Sequence, residues 1–218
     1  KVAHDADYPS IRSPGELWNG TTFTCRDGEA LVPVADTAYA TDFATVSAGA
    51  TTAANSLVDV TPTLAAQGPH ANVACAALRF NTPNGGQPLV LELDGTAQIG
   101  AGAILVTPNM GDTPVVIRGG QIARKSSVDT LSQIYILNFN TNATLTIESD
   151  LGDGSGALLV AGPGRTVFTG RYLSSGAIAV NGGRLSVGDG AKLLASVRAT
   201  DADGSRTWCF FRDLHLYG

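Results

Sequence analysis

The chain has 218 residues and a formal charge of −5, and its 15% of charged residues falls below the roughly 25% of an average soluble domain. It has no basic stripe to neutralise phosphates and no apolar run near the ~18–20 residues that span a bilayer, so neither nucleic-acid binding nor a transmembrane segment is expected. Hydrophobic residues reach 44% but aromatics only 6%, so a core must be assembled from Ala, Val, Leu and Ile, in thin repeated layers rather than one thick globule.

In chain order, residues 1–72 form the first region. DYPSIRSPGELWNG is rich in turn formers, and an Ala/Thr stretch follows from Asp36 to Ala66. Its Thr, Ser and Gly interruptions and its lack of an apolar stripe at 3.6-residue spacing predict strands and loops rather than helix. Lys1 at the start is compatible with a mature exported product or with a piece of a longer precursor.

Residues 73–197 break into short pieces bounded by Gly, Asn, Asp or Pro, among them VACAALRF, LVLEL, AILVT, PVVIRG, QIYILNF, ATLTIES, ALLVAG, AIAVNG and RLSVG. β-Branched residues fill the pieces and turn formers separate them, which is an all-β pattern. Alternation in Thr144–Glu148 puts Leu145 and Ile147 on one face. GALLVAGPGRTVFTG (156–170) aligns with GAIAVNGGRLSVGDG (176–190), a repeat of solenoid length. Such a unit cannot bury its apolar face alone, so stacking of successive coils is expected. The region is therefore predicted to be a parallel β-solenoid with Leu145, Ile147, Leu159, Phe168, Ile178, Val180, Leu185 and Val187 inside. An antiparallel β-sandwich is the alternative.

Residues 198–218 change character again, with an aromatic cluster after a DADGS turn. TWCFFRDLHLYG suits a strand and is apolar, so Trp208, Phe210, Phe211, Leu214, Leu216 and Tyr217 are candidates for self-association through the termini, the alternative being that the segment folds back over its own solenoid as a cap. The whole is expected to be one continuous domain with less regular caps at both ends.

Candidate chemistry is sparse. Asp150 with Asp153, and Asp201 with Asp203, are paired carboxylates of the sort glycosidases use, but both pairs sit in Gly-rich turns where Asp bonds its own backbone. Asp201 and Asp203 also resemble the start of a calcium loop without its later bidentate Glu, which makes calcium the one weak cofactor candidate. His4, His70 and His215 have no nucleophile partner pattern, and the Gly-rich segments lack a phosphate-loop signature. Cys25, Cys75 and Cys209 show no zinc spacing and leave any disulfide pairing open. Asn19 and Asn142 lie in glycosylation sequons of a kind a Thr/Asn-rich chain produces by accident.

Several stretches together resemble the autotransporter-associated β-strand repeat proteins, in particular large surface proteins of the Verrucomicrobia and Planctomycetes type. They are LWNGTTF with the following YATDF, AALRFNT, TAQIGAGAILVTPNMGD, VVIRGGQIA and GALLVAGPGRTVFTGRYLSSGAIAVNGGRLSVGDGA. Tyr172 falls at the family's turn tyrosine, whereas Arg171 and Leu173 replace its usual small polar turn residues. The resemblance implies a right-handed parallel β-helix in a secreted or cell-surface bacterial protein with no shared catalytic site. A non-enzymatic structural role is thus expected, with a filament subunit as one form of it. The alternatives are an adhesin or carbohydrate-binding β-helix that contacts surface polysaccharide, and then a polysaccharide lyase or hydrolase.

Overall fold

The computed structural model describes residues 17–27, 30–43, 56–71, 73–124, 133–152, 156–188, 191–193, 197–200 and 206–209. Strands account for 51% of these residues and helix for almost none, so the chain is all-β. An antiparallel hairpin opens it: β1 (Leu17–Trp18), β2 (Thr22–Asp27) and β3 (Ala30–Pro33). Next come β4 (Tyr39–Ala40), β5 (Leu57–Asp59), the one-turn helix α1 (Pro62–Ala65), β6 (His70–Ala71) and β7 (Ala74–Phe80). Thr61 caps α1 by accepting from the Leu64 amide at 3.2 Å.

From here the strands recur in cycles. β8 (Leu89–Asp94) and the long β9 (Thr96–Val106) make one cycle, and β10 (Val115–Arg118), β11 (Gln121–Ala123) and β12 (Ile134–Asn138) the next. β13 (Leu145–Ile147), β14 (Asp150–Leu151) and β15 (Leu158–Ala161) follow, then β16 (Arg165–Phe168), β17 (Arg171–Tyr172) and β18 (Ile178–Asn181). The last are β19 (Arg184–Val187), β20 (Lys192–Leu193), β21 (Val197–Thr200) and β22 (Arg206–Cys209).

Each strand pairs in parallel with the strand of the same rank in the next cycle. The first ladder runs β6-β8-β10-β13-β16-β19. The second is β9-β11-β14-β17-β20, and the third is β4-β5-β7-β9-β12-β15-β18-β21. β9 serves both, through Thr96–Gln98 to β11 and through Ala103–Val106 to β12. Parallel neighbours need long connections, and here each connection is occupied by the strands of the other two ladders. The ladders from β4 to β21 are parallel, so an antiparallel sandwich does not describe these residues. Parallel pairing also starts at Tyr39, before the expected start at residue 73.

One apolar core lies between the ladders. The first ladder contributes the row Leu89, Val115, Leu145, Thr166, Leu185 and the row Leu91, Ile117, Ile147, Phe168, Val187. Of the residues expected inside, Leu145, Ile147, Phe168 and Ile178 are fully buried, and Val180, Leu185 and Val187 pack half-buried against the same core. Leu159 is a correction. Its neighbours Leu158 and Val160 face the core, and strand alternation turns Leu159 to the other side of the sheet.

The two copies of the sequence repeat form neighbouring parallel strands, with Leu158 beside Ile178 and Phe168 beside Val187. The second half of the repeat is offset by one residue, because Gly182–Gly183 makes the turn between strands that Gly162–Pro163–Gly164 makes in the preceding copy. Gly183 has φ +67°, and a Cβ there would stand 2.1 Å from the Gly162 carbonyl oxygen. Only glycine fits such a corner.

Candidate functional site

The third ladder has a second apolar side, away from the central core. Leu57, Ala77, Ala103, Leu105 and Leu137 form a cluster there with Phe23 and Val34 of the hairpin and with Tyr39. Gly20, in the turn between β1 and β2, sits against the Phe139 ring so closely that a Cβ would lie 2.5 Å from it. Hairpin and ladder are therefore fitted to each other, and their edge carries the most developed polar constellation among the described residues.

Alternation builds that constellation. Val58 and Leu78 enter the central core, so Asp59 and Arg79 project from the opposite side, and the two are register partners on neighbouring strands. Arg79 is 1% exposed. Its Nε and Nη2 donate to the two oxygens of Asp59, each at 2.6 Å. Its Nη1 donates to Asp36 Oδ1 at 2.8 Å and to the Thr21 carbonyl at 3.4 Å. The guanidinium also lies over the Tyr39 ring, 3.5 Å from its centroid, so ion pair, fork geometry and cation–π contact act on one group.

Around it, Tyr39 and Thr22 hydroxyls are 2.8 Å apart, the Phe23 amide donates to the Tyr39 hydroxyl, and Thr22 Oγ1 donates to the Val34 carbonyl at 2.9 Å. Burial pulls the Arg79 pKa down, but the hydrogen bond and charge of Asp59 and the hydrogen bond to Asp36 outweigh it, and the net shift is upward. Burial raises the Tyr39 pKa as well. Both groups stay protonated at physiological pH.

Beside the cluster lies a cavity of about 360 Å³ bordered by Asp36, Arg79, Asn81, Asn109, Pro33 and Val34, among others. Asn81 Oδ1 accepts from Thr107 Oγ1 at 2.7 Å and from Asn109 Nδ2 at 3.0 Å, which fixes the amides.

The residues picked out from sequence are placed elsewhere. Asp150 accepts from Arg171, with Nε at 3.1 and 3.0 Å from its two oxygens and Nη2 closer still. This bond to Arg171 holds the Asp150 carboxyl below the usual carboxylate range. His70 Nε2 meets the Leu64 carbonyl at 3.0 Å, and its ring stands edge-on to Phe43. Tyr172 is buried, its hydroxyl donates to the Gly156 carbonyl at 2.7 Å, and burial pushes its pKa up to about 12. Asn19 and Asn142 are exposed.

Trp208 lies in β22, opposite Arg198 of β21. Asp153, Asp201, Asp203, Phe210, Phe211, Leu214, Leu216, Tyr217, His4 and His215 fall outside the described residues. Among the described residues no group of three or more His, Cys, Asp and Glu is placed to hold a metal, and no helix is long and apolar enough to cross a membrane.

Arg79, Asp59 and Asp36 were not singled out from sequence. A signal for two of them exists in retrospect: Asp59 and Arg79 are lone, opposite charges inside otherwise apolar strands, LVDV and ALRF. A charge at such a position requires a partner. No protein family matches the chain, and neither a curated protein nor a solved structure shows significant similarity to it.

Proposed function

We propose that this chain is a structural, non-enzymatic segment of a secreted or cell-surface bacterial protein, a rigid spacer built as a right-handed parallel β-helix. The observation that carries the reading is the stacking order. Three parallel ladders share one strand order and one core, so each further cycle lengthens the stack by one ~4.8 Å rung without closing it. An object that grows in one direction suits a stalk or a filament better than a compact catalyst. The charged groups that approach one another also serve architecture: Asp59–Arg79 joins β5 to β7 and Arg79–Asp36 reaches the segment that follows the hairpin, while Asp150–Arg171 and Glu92–Arg118 each join neighbouring strands of a ladder. The resemblance to autotransporter-associated β-strand repeats points the same way.

End-to-end association through the terminal segments belongs to this proposal. The largest sheet finishes on β22, which pairs antiparallel with β21 of its own chain on one side. Among the described residues no strand pairs with its other side, the edge at which a neighbouring strand would add. Electron microscopy of the purified chain and of a form lacking residues 208–218 tests the reading. Elongated particles that join into filaments, with joining lost and the β-rich circular dichroism kept in the shortened form, are expected. Compact, monodisperse particles of the full chain would refute it.

A further inference from the structure

We infer that the cavity beside Arg79 is a binding site for a short, neutral saccharide. Its volume of about 360 Å³ lies at the small end of the ~300–1,000 Å³ range of small-molecule sites. Three bordering residues keep hydrogen-bonding capacity after their bonds to the described residues are made. Asn81 spends its oxygen on Thr107 and Asn109, which leaves both N–H groups of its amide. Asn109 spends an N–H on Asn81 and keeps its oxygen. Asp36 gives Oδ1 to Arg79 and keeps Oδ2. A donor pair and two acceptors, set next to Pro33 and Val34, match vicinal hydroxyls on a ring with an apolar face.

Charge selects within that class. Asp59 already engages Arg79 through both oxygens, so the Asp36 carboxylate is left in excess and opposes uronates, sulfates and phosphates. The free amide N–H groups of Asn81 equally oppose a metal cation. A neutral ligand that both donates and accepts remains. Asn81 is also preorganised, because Thr107, which holds its amide oxygen, is 0% exposed. It lies on one side of the stack and does not depend on the spacer role.

Saturation-transfer NMR on the full chain tests the inference, with maltose, cellobiose, lactose and N,N′-diacetylchitobiose as probes and glucuronic acid as the anionic comparison. At least one neutral disaccharide should receive saturation while glucuronic acid does not. Asn109 is exposed, so Asn109→Ala should leave the circular dichroism unchanged and weaken that disaccharide about tenfold, as loss of one good polar contact does. Asn81→Ala should weaken it at least as much. No transfer to any neutral probe, equal transfer to glucuronic acid, or undiminished binding by a folded Asn109→Ala protein would each overturn the inference.

Discussion

Replacing Arg79 with alanine would strand the Asp59 carboxylate, 9% exposed, without the guanidinium that engages both its oxygens at 2.6 Å. Removing one member of a buried pair costs about 3–5 kcal/mol, most of it the penalty of the charge left behind. The bond to Asp36 adds little, since that side chain is 80% exposed and solvent screens the pair. Against a typical total stability of about 5–15 kcal/mol this is a large loss. With a urea slope of about 1–3 kcal/mol/M, the unfolding midpoint should fall by roughly 2 M. The double variant Arg79→Met/Asp59→Leu removes both charges and keeps apolar bulk, so it should recover most of the loss. Urea unfolding followed by circular dichroism gives the midpoints for both. If Arg79→Ala moves the midpoint by less than about 0.3 M, or if the double variant is no more stable than the single one, the pair does not join β5 to β7 as argued.

Gly183→Ala should destabilise the chain by at least ~1–2 kcal/mol, from the left-handed backbone alone and more from the contact with the Gly162 carbonyl, and a thermal unfolding curve at or above wild type would count against the corner geometry. The Asp150 carboxyl should titrate below the ordinary carboxylate range in carbon-detected NMR and move up in Arg171→Gln. Because its folded pKa is depressed, the stability it contributes is present above the unfolded value near ~3.9 and is lost as pH falls through the folded one, so Asp150→Asn should flatten that part of the acid limb. Burial pushes the Cys75 thiol up to about 12. In a Cys25→Ser/Cys209→Ser background it should therefore resist an aromatic disulfide reagent at pH 8 until the chain is unfolded, and rapid labelling of the folded protein would refute its burial.

The sequence by itself determined the all-β class, the short strands and much of the inward face. These are local properties: turn formers set strand length, and alternation in Leu145–Ile147 or Ile178–Val180 chooses a side whatever the partner strand is. Leu159 shows the limit. ALLV is apolar at every position, so alternation has nothing to read, and only the pairing of β15 with β12 and β18 decides which residues enter the core. The Arg79 site required tertiary structure for a different reason. Asp36, Asp59 and Arg79 come from three separate segments, and they meet because parallel register places β5 beside β7 while the hairpin folds over the outside of that ladder. A lone charge in an apolar strand announces that a partner exists, because an unpaired one would be too costly to bury. Which residue answers it depends on which strands become neighbours, and no local pattern in the chain encodes that.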